Sequence, residues 1–426
     1  MTLVSPTEGD FGKSLKQVVG KPMATKIDAE LDAEVIVVGL GAMGSSAAWR
    51  LAQRGIRVLG IERFTPGHVQ GSSHGHTRLF RVACLEHPNL VTMARRSREL
   101  WLELEELTGR RIFDQTGAIT IGPSNSSLIS KTVRAAVEHE LPVDRVSGAE
   151  ISRYTLGHEN VPDDWEGLWD PEGGIVRPED GVLAAVEAAE IAGAHLLFDT
   201  RVTDIRLVDG GVEVITQTQV FRASQVVVTA GAWLGKLVLG LPLRPLRVPM
   251  TWFTPRDPRD ERFRIENFPV FIRAIDAETS YWGHGSVDGF DAKIGLEWDD
   301  NYRWTDADTI DRTVCKLDWQ RVSEAVAAGV PGLDSEPSRV TTCVVTHSPD
   351  GQFIIGRPQG DSRLIVGGGD SGHAFKHATG IGELIAQLIV REEPYVDPEF
   401  VNPDRFEPGQ VATFHATSQT NLVPLT

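Results

Sequence analysis

Three glycines and one acidic residue near the start of the chain are suited to binding a phosphate-containing ligand. Gly39, Gly41 and Gly44 follow a short apolar run, residues 34–38, and fit the pattern G-x-G-x-x-G. The first glycine permits a tight turn, the second lets the backbone approach a pyrophosphate, and the third lets helix and strand pack closely. Glu62 ends the next apolar run, where a carboxylate can accept hydrogen bonds from a ribose hydroxyl. This order predicts a dinucleotide site, and a glycine-rich turn without a ligand is the alternative.

Residues 71–81 are a second stretch that could bind a ligand, in this case an anion. Small residues that let a loop approach a ligand stand beside fixed positive charge. Arginine presents a planar fork that matches a carboxylate, so the stretch predicts carboxylate or other anion binding. A solvated loop is the alternative for this stretch taken alone. The polar residues concerned are Ser73, His74, Thr77, Arg78 and Arg81.

Two later strands also run into small residues. Residues 225–231 form an apolar strand that ends at Gly231, where a dinucleotide could lie close to the backbone. A parallel strand that simply enters a helix is the alternative. Residues 367–373 form a glycine-rich turn before a helix over residues 378–390. The N-terminus of that helix could face an electron-rich atom of a bound ring.

The elements that must position these residues fall into two kinds. The opening alternates strand, helix and strand, whereas residues 246–298 contain strand-like runs separated by Pro, Gly and Asp. The first pattern predicts a parallel sheet with helices, and the second predicts an antiparallel sheet. Residues 113–121 predict two strands joined by a turn. Helical periodicity predicts helices over residues 89–107, 126–139, 178–192, 307–328 and 378–390.

Length, charge and cysteine content limit the class of protein. The 426 residues suffice for one large domain or two interleaved ones, and the formal net charge of -17 disfavours nucleic acid and anionic membranes. Three cysteines are too few for a disulfide framework and suit a reducing compartment. No apolar run is long enough to span a membrane, and no secretory signal is evident. We expect a cytoplasmic monomer or small homo-oligomer without a metal site.

Taken together, four motifs resemble the monomeric sarcosine oxidase family, which includes N-methyltryptophan oxidase and pipecolate oxidase. The resemblance covers about residues 33 to 395, most of the chain. The opening glycines match the family's FAD site, and residues 73–81 look like its Ser-His-His-Gly-Asp-Thr-Arg loop. The two more specific matches are Cys343 with Ser348-Pro349-Asp350, similar to the covalent-flavin segment, and Ser371-Gly372-His373-Ala374-Phe375-Lys376, similar to the Ser-Gly-His-Gly-Phe-Lys turn.

The resemblance implies a flavin site and its contacts. Cys343 would form a thioether to the flavin 8α-methyl group, although a lone cysteine in a strand is more often a small buried hydrophobe. Arg78 and Thr77 would lie near the flavin ring. The full set of implied cofactor contacts is Gly39, Gly41, Gly44, Glu62, Ser73, His74, Thr77, Arg78, Val202, Gly231, Cys343, Gly372, His373 and Lys376.

The resemblance also implies a substrate site. Arg81 and Lys376 would clamp the substrate carboxylate, the first as a fork and the second as a point charge. Lys293 would stand on the far face of the flavin, where a cation stabilises superoxide as oxygen is reduced. A structural ion pair is the alternative for the first two, and an exposed strand lysine for Lys293. Tyr281, Trp282 and Trp298 are candidates to line the amine side, though ordinary packing is the commoner role of such residues.

Three positions depart from the family pattern and affect the expected substrate. His76 stands where the family's loop has aspartate, and an aromatic residue of the loop is replaced near Cys84. Glu297, four residues after Lys293, aligns with the family's active-site histidine. A carboxylate at that position would repel a substrate carboxylate, or it could attract a second amino group.

The implied reaction is oxidation of a secondary amine, an N-methyl or cyclic amino acid, to an imine with reduction of O₂ to H₂O₂. The flavin accepts the hydride equivalent, and the site residues Arg78, Arg81, Lys293, Glu297 and Lys376 position and polarise the reactants. A flavin dehydrogenase or desaturase acting on a larger natural-product amine is the main alternative. A nicotinamide-dependent dehydrogenase and a non-catalytic flavoprotein are weaker ones.

We therefore predict an α/β flavoprotein of two discontinuous domains. The flavin would lie between them, where ligand sites usually form. The predicted FAD-binding domain comprises residues 32–113, 178–245 and 350–402, and the predicted substrate domain residues 114–177 and 246–349. An N-terminal extension covers residues 1–31 and a C-terminal tail residues 403–426.

Overall fold

The computed structural model describes residues 31–276, 278–407 and 410. The strands are β1 (Ala33–Val38), β2 (Val58–Ile61), β3 (Arg78–Phe80), β4 (Phe113–Asp114), β5 (Ala118–Pro123), β6 (Asp144–Ser147), β7 (Trp165–Asp170), β8 (Gly174–Val176), β9 (His195–Leu197), β10 (Val202–Val208), β11 (Gly211–Thr216), β12 (Val220–Val228), β13 (Arg244–Phe253), β14 (Val270–Ala274), β15 (Ser280–His284), β16 (Ala292–Leu296), β17 (Arg303–Trp304), β18 (Arg339–His347), β19 (Ile354–Gly356) and β20 (Leu364–Gly368). The helices are α1 (Ala42–Gln53), α2 (Asn89–Thr108), α3 (Ser127–Glu138), α4 (Pro178–Ile191), α5 (Leu234–Leu237), α6 (Gln320–Gly329) and α7 (Ala378–Val390).

A parallel sheet in the order β9-β2-β1-β12-β20 brings the predicted dinucleotide residues together. Val38 of β1 pairs with Ile61 of β2 and with Val228 of β12, and Val228 pairs with Val366 of β20. Because these residues are in register, the strands end at one edge of the sheet. Ligands bind at this carboxyl edge in open α/β sheets. The hairpin β10–β11 and the antiparallel strand β19 extend the sheet to eight strands.

Helices α1, α2, α4 and α7 pack together and bury a core that includes Trp49, Trp101 and Leu384. The chain places small residues where α1 and α7 touch. A side chain at Gly382 of α7 would lie 2.5 Å from the backbone of Ser46 in α1. This close packing fixes α1, and hence the direction of its N-terminus, against the carboxyl edge of the parallel sheet.

The second large sheet has nine strands in the order β17-β13-β16-β15-β14-β5-β7-β6, with β18 beside β13. Its pairings are antiparallel except for β5 with β14. One face packs against α6 around Phe253, Phe271, Ile294 and Val326. The antiparallel sheet predicted for residues 246–298 is thus present, and it recruits β5, β6 and β7 from earlier in the chain.

A small three-stranded sheet, β3-β8-β4, contains the end of residues 71–81, which we call the arginine loop. Residues 113–121 do form two strands, but β4 joins this small sheet while β5 joins the nine-stranded one. Arg78 of β3 pairs with Val176 of β8, which leads directly into α4. The end of the arginine loop is therefore held by β8, next to the start of α4.

The helix predicted over residues 307–328 is wrong for its first half, since only α6 is α-helical there. Asp311 instead accepts hydrogen bonds from the backbone and hydroxyl groups of Thr313, a local alternative to helix. The Arg247 guanidinium binds the carbonyl oxygens of Asp311 and Thr313, which a helix would need for its own bonds.

The predicted N-terminal extension lies outside the described residues except for residue 31, and so does the predicted C-terminal tail beyond residues 403–407 and 410. Within the described part, no helix combines the length and apolar character that crossing a bilayer requires.

Candidate active site

A cavity of about 380 Å³ lies at the carboxyl edge of the parallel sheet and reaches β18 of the second sheet. The ends of β1, β2, β12 and β20, with the residues directly after them, form one side of its wall. Nine of the predicted cofactor contacts lie in that wall: Gly39, Gly41, Glu62, Ser73, Arg78, Val202, Gly231, Cys343 and Gly372. The other predicted contacts, Gly44, His74, Thr77, His373 and Lys376, are not in the wall.

The three opening glycines meet three different steric demands. Gly39 has φ +90°, and a side chain there would lie 2.7 Å from the Thr229 carbonyl oxygen. A side chain at Gly44 would overlap the Gly39 carbonyl oxygen, so this glycine allows α1 to pack on β1. Gly41 has open space in front of it, since a side chain would meet only the Ser73 hydroxyl at 3.7 Å. That opening lets a ligand phosphate approach the free N–H groups of the α1 N-terminus.

Glu62 is fixed in the cavity wall by backbone donors. Its Oε2 accepts a hydrogen bond of 2.7 Å from the Leu40 N–H, and its Oε1 accepts one of 3.0 Å from the Phe64 N–H. His68 Nε2 lies 3.4 Å from Oε1 as well, so Oε2 is the oxygen with a second lone pair for a ribose hydroxyl. The glycine turn, the exposed α1 N-terminus and the oriented carboxylate therefore fit the dinucleotide part of FAD.

Arg78 connects the arginine loop to Cys343. Its Nη1 donates to the Thr77 carbonyl at 2.8 Å and its Nη2 to the Ser72 carbonyl at 2.8 Å. The same Nη2 lies 3.8 Å from Sγ of Cys343, whose side chain is 2% exposed and faces the large cavity. Burial raises the pKa of the Cys343 thiol, and the nearby Arg78 opposes that rise. The positively charged Arg78 guanidinium thus lies beside Cys343, the residue predicted to bind the flavin covalently.

Lys293 lies beneath the same loop. It is 1% exposed, and its Nζ donates to the carbonyl oxygens of Gly75 at 2.8 Å and Thr77 at 2.9 Å. The Trp252 ring centroid is 5.0 Å from Nζ. Burial, reinforced by the positive charge of Arg78, lowers the pKa of Lys293 well below its ordinary value. The backbone hydrogen bonds hold Nζ in one position, whatever its protonation state.

Arg81 and Lys376 converge on one carboxylate, that of Glu86. Arg81 Nη2 lies 2.9 Å from Glu86 Oε1, and Lys376 Nζ lies 3.5 Å from the same oxygen. Arg81 is 6% exposed and Lys376 4% exposed. Burial alone would raise the pKa of Glu86, but Lys376 and Arg81 outweigh it and hold the pKa well below the usual range. We call Arg81 and Lys376 the clamp.

The clamp is positioned from behind by two groups outside the predicted site. The Trp101 indole N–H of α2 donates to the Lys376 carbonyl at 3.1 Å, and its ring stacks on Phe375 at 5.6 Å. Asp170 accepts hydrogen bonds from the backbone N–H groups of Val82 and Ala83, which follow Arg81. Because Ala374 and Phe375 line the large cavity, the clamp and the cavity are adjacent.

A smaller cavity opens beside the clamp. Arg81, Glu86 and Glu297 line it, together with residues from the start of α3 and from the turn between β14 and β15. The Glu297 side chain is exposed in this cavity. The protein around its carboxyl group nevertheless removes part of the hydrating water, which raises the pKa of that group. Glu86 raises that pKa further, while Arg81 and Lys376 oppose the rise.

Several candidate residues lie elsewhere. Tyr281 packs on Phe271 in the core of the second sheet, with ring centroids 5.5 Å apart. Trp282 donates to the Leu296 carbonyl, and Trp298 donates to Asp300. None of the three aromatic residues lines either cavity. His74 is buried with Nε2 unpaired, Thr77 bonds His284 Nε2 through its hydroxyl at 2.7 Å, and His373 Nε2 lies 2.9 Å from the Gly351 carbonyl oxygen.

Sequence reasoning missed three acidic residues at the site. Glu86 occupies the clamp, Asp170 fixes the loop after Arg81, and Asp370 lines the large cavity while accepting a hydrogen bond from the Thr346 N–H at 2.9 Å. Asp370 lies inside the glycine-rich turn that the sequence indicated. No comparable sequence signal distinguishes Glu86 or Asp170 from the other 57 acidic residues among the 59 of the chain.

The chain has clear relatives among proteins of known activity. Residues 34–388 match the family described as FAD dependent oxidoreductase. Monomeric sarcosine oxidase of Streptomyces avermitilis is 36% identical over 362 residues, covering 84% of this chain and 93% of that protein. N-methyl-L-tryptophan oxidase of Yersinia pestis is 33% identical over 366 residues, covering 85% of this chain and 96% of that protein.

Solved structures show the same fold at lower sequence identity. NikD, an amino acid oxidase essential for nikkomycin biosynthesis, superposes with a TM-score of 0.76 at 23% identity, over 91% of this chain and 100% of that one. L-proline dehydrogenase from P. horikoshii gives a TM-score of 0.77 at 22% identity, over 90% and 100%. The predicted α/β flavoprotein fold is confirmed. The chain belongs to the family of FAD-dependent oxidoreductases that includes monomeric sarcosine oxidase and N-methyl-L-tryptophan oxidase.

Proposed function

We propose that this enzyme oxidises a secondary amine that carries a carboxylate, an N-methyl or cyclic amino acid, to an imine. Bound FAD would supply the redox chemistry, accepting the hydride equivalent from the carbon next to nitrogen and passing two electrons to O₂ to give H₂O₂. Water then hydrolyses the released imine. The observation that carries the proposal is the buried clamp, in which Arg81 and Lys376 already hold the carboxylate of Glu86 next to the large cavity.

In this proposal the substrate carboxylate takes the place of Glu86 Oε1 between Arg81 and Lys376. A planar guanidinium and an ammonium on one carboxylate fix both its position and its orientation. The amine end must then point away from the clamp, toward the wall formed by Ala374 and Phe375. Orientation of this kind supplies much of the rate enhancement when the protein itself forms no bond to the substrate.

Lys293 is the residue we assign to the oxygen half of the reaction. Its Nζ is held by two carbonyl oxygens and lies near Arg78, so its position is fixed before oxygen arrives. A protonated ammonium in a buried site stabilises negative charge that forms on reduced oxygen. A wild-type enzyme that reduces its flavin quickly but reacts slowly with O₂ would instead favour the dehydrogenase alternative.

We further propose that Cys343 binds the flavin covalently. Its Sγ faces the large cavity, and the Arg78 guanidinium beside it can stabilise the thiolate that such a bond requires. Acid precipitation of the purified protein tests this. Yellow colour should stay in the pellet of the wild type and appear in the supernatant of Cys343→Ser. Yellow supernatant from the wild type would remove the covalent bond while leaving the FAD site intact.

The proposed function is tested by mixing the purified holoenzyme with sarcosine or another N-methyl amino acid without oxygen. The visible flavin absorbance should bleach, and admission of air should restore it with release of one H₂O₂ per flavin. Glycine, which lacks the N-methyl group, is the matched control and should bleach the flavin more slowly. Absence of bleaching with every N-methyl and cyclic amino acid would overturn the proposal.

A further inference from the structure

Glu297 is a carboxylate without a partner beside the clamp. It follows β16, and its backbone N–H donates to the Ser280 carbonyl at 3.1 Å. Among the residues that the structure describes, its carboxylate accepts no hydrogen bond and has no cation within 4 Å. The side chain is exposed and lines the smaller cavity, so water can hydrate the carboxylate until a cationic group of a ligand replaces that water.

The positive charge beside Glu297 is sufficient for a substrate carboxylate. Arg81 and Lys376 act on both Glu86 and Glu297, and Lys131 of α3 acts on Glu86 as a third positive charge. Glu86 offsets part of this charge, and a substrate carboxylate in the clamp offsets more of it. The reacting amine cannot pair with Glu297, because a nitrogen must be neutral to keep the lone pair that drives hydride transfer. Glu297 therefore remains available for a second group of the substrate.

Resting on the proposed function, we infer that the preferred substrate carries a second cationic group, which pairs with Glu297 while Arg81 and Lys376 hold its carboxylate. The group is an ammonium or a guanidinium on the side chain, and the substrate class is therefore an N-alkylated amino acid with a basic side chain. Such a group gives Glu297 an ion-pair partner within the bound complex. An apolar side chain of the same length makes no such pair, and a site that binds a polar group discriminates against an analogue that lacks it.

The surroundings of the smaller cavity also favour cations. Asp276 and Glu278, on the turn between β14 and β15, line the same cavity. Asp276 accepts hydrogen bonds within its own turn, whereas Glu278 is exposed. Together with Glu297 they place three carboxylates around this opening. A negative field at a cavity raises the local concentration of cationic ligands and disfavours anionic ones.

The test compares two substrates of equal length, Nα-methyl-L-lysine and the N-methyl derivative of L-2-aminoheptanoic acid, by anaerobic flavin reduction in the holoenzyme. For each compound, the limiting rate of flavin reduction is divided by the dissociation constant. This quotient should be larger for the lysine compound by on the order of tenfold to a hundredfold, which corresponds to the free energy of a hydrogen bond to a charged group. Glu297→Gln, which keeps the shape and removes the charge, should erase most of that preference. Asp300→Asn is the control, because it makes the same charge change outside both cavities and should leave the preference unchanged.

Each result decides a different point. Equal reduction by both compounds in the wild type would overturn this inference and leave the proposed function standing. A preference that survives in Glu297→Gln would show that another group binds the cation. If neither compound, nor sarcosine, reduces the flavin, the proposed function itself fails. The wild-type comparison stands alone should Glu297→Gln fold poorly.

Discussion

The large cavity and the clamp are adjacent, but they are built in opposite ways. The cavity is formed by backbone at the ends of four neighbouring strands, with glycines where side chains would collide. The clamp is formed by two charged side chains from separate parts of the chain, Arg81 after β3 and Lys376 before α7, and both contact the carboxylate of Glu86. The first depends on local geometry that a motif specifies. The second depends on charge balance among residues far apart in sequence.

This difference predicts that damage to the glycine turn that shapes the cavity removes the cofactor and the fold together, whereas damage to the clamp changes affinity alone. Gly44→Val tests the first half. Its side chain would overlap the Gly39 carbonyl, so we expect loss of at least about 3 kcal/mol of unfolding free energy and loss of the flavin. Denaturant unfolding measures the free energy of unfolding, and the ratio of visible to ultraviolet absorbance measures the flavin content. Gly235→Ala in α5 has nothing within 4 Å and should change neither.

Lys293→Met is expected to separate the two half-reactions. Anaerobic flavin reduction should stay near the wild-type rate, while reoxidation by air should slow on the order of a hundredfold or more, as loss of one buried electrostatic stabiliser does. Stopped-flow measurement of each half-reaction gives both rates. Equal slowing of the two would contradict the assignment of Lys293 to oxygen.

The clamp itself is tested by Arg81→Ala. Removing one member of a buried charged pair costs about 2 kcal/mol or more, so the substrate dissociation constant should rise about thirtyfold or more. The limiting rate of flavin reduction should change less, because Lys376 still orients the carboxylate. The concentration dependence of anaerobic reduction separates the two effects. Arg259→Ala, an exposed ion pair with Asp257, serves as the control, and an unchanged dissociation constant would remove Arg81 from the clamp.

The pH dependence of reoxidation should reflect Lys293. Burial lowers its pKa, so the protonated form is lost at lower pH than for an ordinary lysine. Reoxidation should therefore slow as pH rises through this lowered pKa, and Lys293→Met should lose that titration. The depressed pKa also means that the folded state binds this proton more weakly than the unfolded state does. Its contribution to folding consequently becomes less favourable as pH falls from the ordinary lysine pKa toward the lowered one.

The smallest effect is expected at Asp170, which supports the clamp without touching the substrate. Asp170→Asn should weaken the hydrogen bonds to Val82 and Ala83 and lower the unfolding free energy by about 1–2 kcal/mol. We expect a modest rise in the substrate dissociation constant and no change in the limiting rate. Thermal unfolding measures the stability, and the concentration dependence of anaerobic reduction measures the dissociation constant and the limiting rate. A large drop in the limiting rate would give Asp170 a more direct role.

The same contrast explains what could be predicted from sequence. The glycine turn and Glu62 are contiguous with the strands that position them, so their place in the cavity wall followed from a local pattern. Gly44 was predicted to allow close packing, and it does so from outside the wall. Glu86 was missed because an acid five residues after Arg81 has no local signature. The helix expected over residues 307–328 ended early because Arg247, from a distant strand, binds the carbonyl oxygens that such a helix needs.

The central claim is that the cavity and the clamp form one active site, with the flavin ring beside the bound carboxylate. Titration of the holoenzyme with a simple carboxylate such as acetate, followed by the visible flavin spectrum, tests it most directly. We predict a saturable spectral change in the wild type that is strongly weakened in Arg81→Ala and retained in Arg259→Ala. A carboxylate that binds with no change in the flavin spectrum, or with the same change in Arg81→Ala, would contradict the claim.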